Sequence, residues 1–165
     1  MFIDSTLSFA EEADISNSTP GFTLIGSAVD VRPVGITDNT LADLSGGEPI
    51  YVVIEVTTSF ASTNITEYEL ALFTHTANTG VTGGEMLWNI RLLTQRFAAG
   101  QRFVFQLPVP LEGQDNYERY LGIGGRKTGT TTSGTASGQI TAYMTKDVSN
   151  WSGTATRVPA TDPAN

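Results

Sequence analysis

The residues IYVVIEVT at positions 50–57 constrain the fold of this chain more than any other stretch. Their β-branched side chains fit a pleated sheet better than a helix. The run follows Gly46, Gly47 and Pro49, and a helix cannot continue through such a turn cluster. Both pleat faces stay apolar until Glu55, which predicts a central strand that is covered on both sides. Because burying each such side chain is worth about 1.5–3 kcal/mol, we expect this strand to anchor the core.

The rest of the chain also has the pattern of short strands separated by turns. Residues 86–93 fit either a helix or a strand with a bulge, and we favour the strand because the neighbouring segments are sheet-like. Residues 10–14 are short and acidic, and we interpret them as one helical turn. About eight short strands without a long helix predict an antiparallel β-sandwich or barrel. Gly26 separates two of the strand candidates, residues 22–25 and 28–31. The others are residues 1–9, 50–57, 67–73, 86–93, 102–109, 117–123 and 140–144.

The length of 165 residues corresponds to one domain. We assign residues 1–148 to this domain, and its first segment, residues 1–9, is an edge strand or an arm that lies on a neighbouring chain. Residues 149–165 are predicted to form an extended C-terminal tail, in which Trp151 is the one large apolar side chain. Residues 126–138 are rich in Gly, Ser and Thr and are predicted to form a loop.

Composition argues against several classes of partner. The chain has 9 basic and 17 acidic residues, a net charge of −8. So few cations make it a poor ligand for nucleic-acid phosphates. No apolar run approaches the ~20 residues that cross a bilayer. The first residues lack the basic region of a signal peptide. We therefore expect neither a nucleic acid nor a membrane as its partner.

Catalytic motifs are missing from the sequence. His75 is the single histidine and there is no cysteine, so the ligands of a zinc site cannot be assembled. No G-x-S-x-G elbow accompanies His75, which we interpret as a solvated loop residue. Glu67 and Glu69 share one pleat face, and we interpret them as exposed carboxylates rather than a glycosidase pair. Residues 38–43 lack the spacing of a calcium loop. We predict no catalytic residue, no cofactor and no metal site.

The stretch GIGGRKT at residues 122–128 approaches two nucleotide-binding motifs and matches neither. A Walker loop needs a glycine directly before its lysine, and here Arg126 precedes Lys127. A dinucleotide fingerprint needs a third glycine and a following helix. We interpret the stretch as a glycine-rich turn between two strands.

A chain without a catalytic site is expected to be a binding protein or a structural component of an assembly. Residues 1–9 alternate in polarity and could be donated as a strand to a neighbour. Tryptophan is enriched at the energetic centres of interfaces, and Arg126 with Lys127 stands out because the chain has so few cations. The predicted partner contacts are therefore Met1, Phe2, Ile3, Arg126, Lys127 and Trp151.

Three segments together resemble the jelly-roll capsid cement, or decoration, proteins of tailed bacteriophages with HK97-type capsids. They are MFIDSTLSF at residues 1–9, GEPIYVVIEVTTSF at residues 47–60, and RFVFQLPVP with NYERYLGIGG within residues 102–125. The resemblance covers most of residues 1–146. The tail from residue 149 has no counterpart in it, and the loop at residues 126–138 is specific to this chain.

This resemblance implies an all-β protein, an antiparallel jelly-roll sandwich, that has no enzymatic activity. Its expected location is the virion, on the outer surface of the capsid, and its expected partner is the major capsid protein. It is expected to be a homo-oligomer, with a dimer favoured over a trimer. The alternative is a carbohydrate-binding or receptor-binding jelly-roll module of a phage tail or fibre.

Overall fold

A computed structural model describes residues 7–15, 21–31, 49–62, 65–78, 81–107, 117–128 and 136–146. These residues form nine strands and a 3₁₀ turn, Thr94–Arg96, and they contain no α-helix. The described part of the chain thus includes no helix long and apolar enough to cross a bilayer. The strands are β1 Ser8–Asp14, β2 Thr23–Leu24, β3 Val29–Asp30, β4 Tyr51–Ser62, β5 Glu67–His75, β6 Glu85–Leu93, β7 Arg102–Gln106, β8 Tyr120–Thr128 and β9 Ala136–Thr145.

The strands form two antiparallel sheets. The four-stranded sheet has the order β1-β9-β4-β7, and the five-stranded sheet has the order β2-β8-β5-β6 with β3 also paired to β8. If β2 and β3 are counted as one interrupted strand, each sheet has four strands in jelly-roll order. The predicted all-β jelly-roll sandwich is therefore confirmed.

The interruption between β2 and β3 lies at Gly26, whose φ is +73°. A Cβ built on Gly26 would lie 2.2 Å from the backbone oxygen of Phe9. Only glycine fits this combination of a left-handed backbone and a close approach to β1. The described residues consequently form nine strands where about eight were expected.

The predicted central strand is confirmed in β4, which pairs with β7 on one side and with β9 on the other. Val52, Ile54 and Val56 point between the sheets and have no exposed surface. The core between the sheets also holds aromatic rings, and the phenol of Tyr68 donates a 3.0 Å hydrogen bond to the carbonyl of Ile15. That bond satisfies a buried hydroxyl group in an otherwise apolar layer.

Residues 10–14, which we expected to form a helical turn, lie in strand β1, so that prediction is wrong. β1 pairs with β9 through two register shifts, and Glu12 has a φ of +46°. Phe9, Ala10 and Ile15 are buried in the core. Pairing and burial of these apolar residues override the helical preference of the acidic stretch.

Residues 86–93 form strand β6, as we favoured. The register of β6 against β5 shifts between the pairs Leu72–Trp88 and Phe73–Met86, which leaves Leu87 as the extra residue of a bulge. Leu87, Trp88 and residues further along the strand pack against the core. The bulge explains why the apolar residues of this strand also fit a helical period.

Candidate interaction surfaces

The two sheets bring no catalytic constellation together among the described residues. His75 ends strand β5, and its Nδ1 accepts a 2.7 Å hydrogen bond from the backbone N–H of Ala77. Its Nε2 lies 3.1 Å from the carbonyl oxygen of Thr82, so the hydrogen of the ring is on Nε2. Both ring nitrogens are thus engaged by the loop that follows β5. This histidine holds its loop, and neither nitrogen is directed at a substrate site.

Glu67 and Glu69 lie on the same outer face of the five-stranded sheet, as predicted, but Glu69 is not exposed. Only 2% of its surface is accessible. Its Oε1 accepts a 2.7 Å hydrogen bond from Asn89 Nδ2, and its Oε2 accepts a 2.8 Å hydrogen bond from Arg126 Nε. Our interpretation of Glu69 as a solvated carboxylate is therefore wrong, because strands β6 and β8 supply partners that cover it.

Glu67 takes part in a second, more exposed pair on this face. Its Oε2 accepts a 2.7 Å hydrogen bond from Arg91 Nε and a longer one of 3.4 Å from Thr128 Oγ1. Arg91 and Arg126 therefore each neutralise one carboxylate of β5. The two pairs form a charge-balanced ladder across β6, β5 and β8, and neither glutamate is placed as a catalytic acid or base.

The glycine-rich stretch is part of strand β8, so the predicted turn at residues 122–125 is wrong. β8 pairs along its length with β5, from the pair Tyr120–His75 to the pair Thr128–Glu67. Residues 126–128, which we assigned to a loop, also belong to this strand. The glycines fit there because neighbouring side chains occupy the space that their own side chains would fill.

Arg126 and Lys127, the two predicted contact residues of this strand, have different surroundings. The side chain of Arg126 is 38% exposed, and its guanidinium group lies 4.4 Å from the ring centroid of Phe22. Lys127 is 5% exposed, because alternation along β8 directs it to the opposite face. Their roles as partner contacts stay a prediction. Of the two side chains, only that of Arg126 has a substantial solvent-exposed surface.

The other predicted contact residues, Met1, Phe2, Ile3 and Trp151, lie outside the described residues. So do the tail at residues 149–165 and the acidic loop at residues 38–43. The single-domain assignment remains a prediction. So does the arm at residues 1–9, of which residues 1–6 lie outside the described part of the chain, whereas Ser8 and Phe9 belong to β1.

One side of the sandwich combines two outermost strands with exposed apolar residues. We call it the β6–β7 side and define it by strands β6 and β7. Trp88 of β6 stacks on Phe105 of β7 with ring centroids 3.7 Å apart, so the two strands adjoin although they belong to different sheets. Met86, Leu93 and Val104 lie on these strands with exposed fractions of 44%, 44% and 46%. They are three of the four large apolar side chains that are exposed among the described residues.

The opposite edge of the four-stranded sheet has another character. There β1 exposes Glu11, Glu12 and Asp14. Three of the four exposed large apolar side chains of the described residues thus lie on β6 and β7, whereas β1 exposes three carboxylates. The exposure of Met86 and Leu93 could not be inferred from the sequence, because the bulge at Leu87 interrupts the alternation of β6.

Two further features bear on ligand binding. A shallow cleft of about 370 Å³ is lined by Phe60, Ile65, Leu93 and four hydroxyl or amide residues, and none of these residues is ionisable. Trp88 is engaged by Phe105, so it does not form the exposed aromatic platform of a carbohydrate-binding module. Among the described residues, no group of three potential metal-ligating side chains is present.

Buried tyrosines carry the clear electrostatic perturbations of the sandwich. Burial raises the pKa of the Tyr117 phenol to about 12. Burial also raises the pKa of Tyr68, and that of Tyr143, where nearby Arg102 partly opposes the effect. These phenols stay neutral in the folded protein, and they are packing residues rather than proton donors.

Comparison with known proteins adds no relative: no protein-family model matches the chain, and no curated protein matches it significantly.

Proposed function

We propose that this protein is a capsid cement protein of a tailed bacteriophage. It binds the outer surface of the shell, bridges neighbouring major capsid protein subunits and stabilises the mature lattice. The observation that best supports this role is the concentration of exposed apolar side chains on the β6–β7 side. Large apolar side chains that stay exposed on strands at the ends of two sheets offer anchor points for a partner chain.

The ion pairs of the sandwich are consistent with adhesion rather than turnover. Four arginines of the described chain each pair with a carboxylate, and each pair joins two segments that are distant in sequence. Ion pairs of this kind connect neighbouring strands and leave few unpaired charges that a docking partner would have to desolvate. Affinity in such an interface comes from a few anchor residues more than from area.

Bridging also explains how a modest contact stabilises a large shell. A protein that touches two capsid subunits makes its second contact at a high effective concentration. It binds only a lattice that presents both patches in register, and so it stabilises that lattice by mass action. The homo-oligomer, with a dimer favoured and a trimer possible, multiplies the same effect.

The test is to add the purified protein to mature shells that lack it and to measure occupancy and thermal disruption. We expect saturable binding and shells that open at a higher temperature, whereas precursor shells of different lattice spacing bind weakly. Deletion of residues 1–6, which keeps β1 and its buried Phe9 intact, tests the arm and is expected to reduce occupancy. A solitary monomer with no affinity for any shell would refute the proposal, and selective retention on a glycan array would favour the tail-fibre alternative.

A further inference from the structure

Strand β6 is the outermost strand of the five-stranded sheet. Within the described ranges it pairs only with β5. Its nine residues, EMLWNIRLL, contain no proline and no lysine, although these residues commonly protect an edge strand from pairing with another chain. One row of backbone donors and acceptors of β6 is therefore available to a partner strand.

The side chains of β6 on the outer face follow an apolar, polar, apolar order. Met86 stands beside outward-facing Phe73 at one end, and Leu93 stands beside Glu67 at the other. Between them Asn89 and Arg91 are held by the glutamates of β5. From Trp88 onward the strand is free of the bulge, and these six residues span about 20 Å.

This face is also electrically balanced. The charges cancel within the pair Arg91–Glu67 and within the pair Arg126–Glu69, although the net charge of the whole chain is −8. A charged side chain placed over the ladder would lose hydration without gaining an unpaired counter-charge. The chemistry of the face therefore selects an uncharged segment.

We propose that β6 receives an extended segment of the shell protein, which joins the five-stranded sheet as an additional strand. The segment is about seven residues long, as many as β5 uses to pair from Leu93 to Met86. It has uncharged polar residues at its centre and apolar residues at both ends, beside Met86 and Leu93. This inference rests on the proposed function and names the partner's chemistry at that site. β7 is a weaker candidate because it has five residues and one exposed apolar side chain, Val104.

The decisive comparison is between the double variant Met86→Lys/Leu93→Lys and a charge-matched control, Thr23→Lys with Ser27→Lys, which lies at the opposite edge of the same sheet. All four positions are exposed, so the fold is expected to survive, and a denaturation curve verifies this. We expect the double variant to lose at least about tenfold in affinity for shells, because charged lysines oppose strand addition. The control is expected to bind like the unmodified protein.

Hydrogen exchange on the unmodified protein separates strand addition from side-chain contact. Amides of β6 are expected to exchange more slowly when the protein is on shells. Binding without such protection would overturn the inference, as would a double variant that binds normally; the proposed function would survive both results. Protection that appears with rising protein concentration alone would identify a second copy as the occupant and would also overturn it. Failure of the unmodified protein to bind shells would instead overturn the proposed function.

Discussion

Three glycines in the middle of β8 are buried because the space beyond each α-carbon is already filled. A Cβ on Gly122 would lie 2.8 Å from Leu24 Cδ1, and one on Gly124 would lie 2.8 Å from a ring carbon of Phe73. These neighbours come from strands that are distant in the chain. Local sequence cannot reveal them, and so a run that is typical of turns is in fact a strand.

Gly125 provides a test of this explanation. A Cβ there would lie 2.5 Å from the Tyr68 hydroxyl and 2.7 Å from Ile25 Cδ1. We expect Gly125→Ala to lower the free energy of unfolding by about 1–3 kcal/mol, as overpacking does. Denaturant titration measures the change.

Gly21→Ala is the matched control, because nothing lies within 4 Å of the position that its Cβ would take. Equal stability of the two variants would contradict the steric account of β8.

At the scale of single elements, β5 shows what alternation predicts and what it does not. The period of two correctly places Tyr68, Leu70 and Leu72 on the core face and Glu67 with Glu69 on the other. It does not indicate whether the second face is covered. Ala71 and Phe73 are also buried there, beneath Val81 and other apolar residues, so β5 is a central strand rather than the half-buried one we expected.

The two glutamates of β5 should therefore differ in their contribution to stability. Glu69→Ala removes the buried acceptor shared by Arg126 and Asn89. Because water can reach these two partly exposed donors, we expect a loss of about 1–3 kcal/mol. Glu67→Ala removes a more exposed pair and is expected to cost about 0–1 kcal/mol. Denaturant titration of both variants measures the difference, and a larger effect at Glu67 would show that the cover over Glu69 is ineffective in solution.

At the scale of the whole molecule, the sequence patterns predicted a sandwich or barrel, and the resemblance narrowed it to a jelly roll. β4 and β7 were predictable because their β-branched and alternating residues have one consistent interpretation. The β6–β7 side was not, because Met86 or Leu93 looks the same in sequence whether it faces the core or solvent. Surfaces depend on which strands end a sheet, and strand order is a long-range property.

Whole-molecule stability should fall in alkaline solution. The pKa of Tyr68, 10.0 in its ordinary state, is raised by burial, and that of Tyr117 is raised to about 12. Both folded and unfolded chains keep these phenols protonated below about pH 10. Above it the unfolded chain releases protons first, so the free energy of unfolding decreases as pH rises toward the folded-state values.

Tyr68 alone is expected to contribute a slope of about 1.4 kcal/mol per pH unit in that window. Denaturant titrations at a series of alkaline pH values measure the slope, and tyrosinate absorbance reports ionisation directly. Tyr68→Phe removes this ionisable group and should flatten the dependence. A difference in tyrosinate absorbance between the unmodified protein and Tyr68→Phe that develops near pH 10, while both remain folded, would contradict burial as the cause.

The crowded glycines of β8 also have an evolutionary consequence. Where steric contact admits no side chain, selection has one option at each position, whereas the exposed residues around it can drift freely. The pattern G-x-G-G at residues 122–125, when it occurs inside a strand rather than between strands, should therefore persist among distant descendants of the same ancestor. It offers a fingerprint for recognising kin that overall identity no longer reveals.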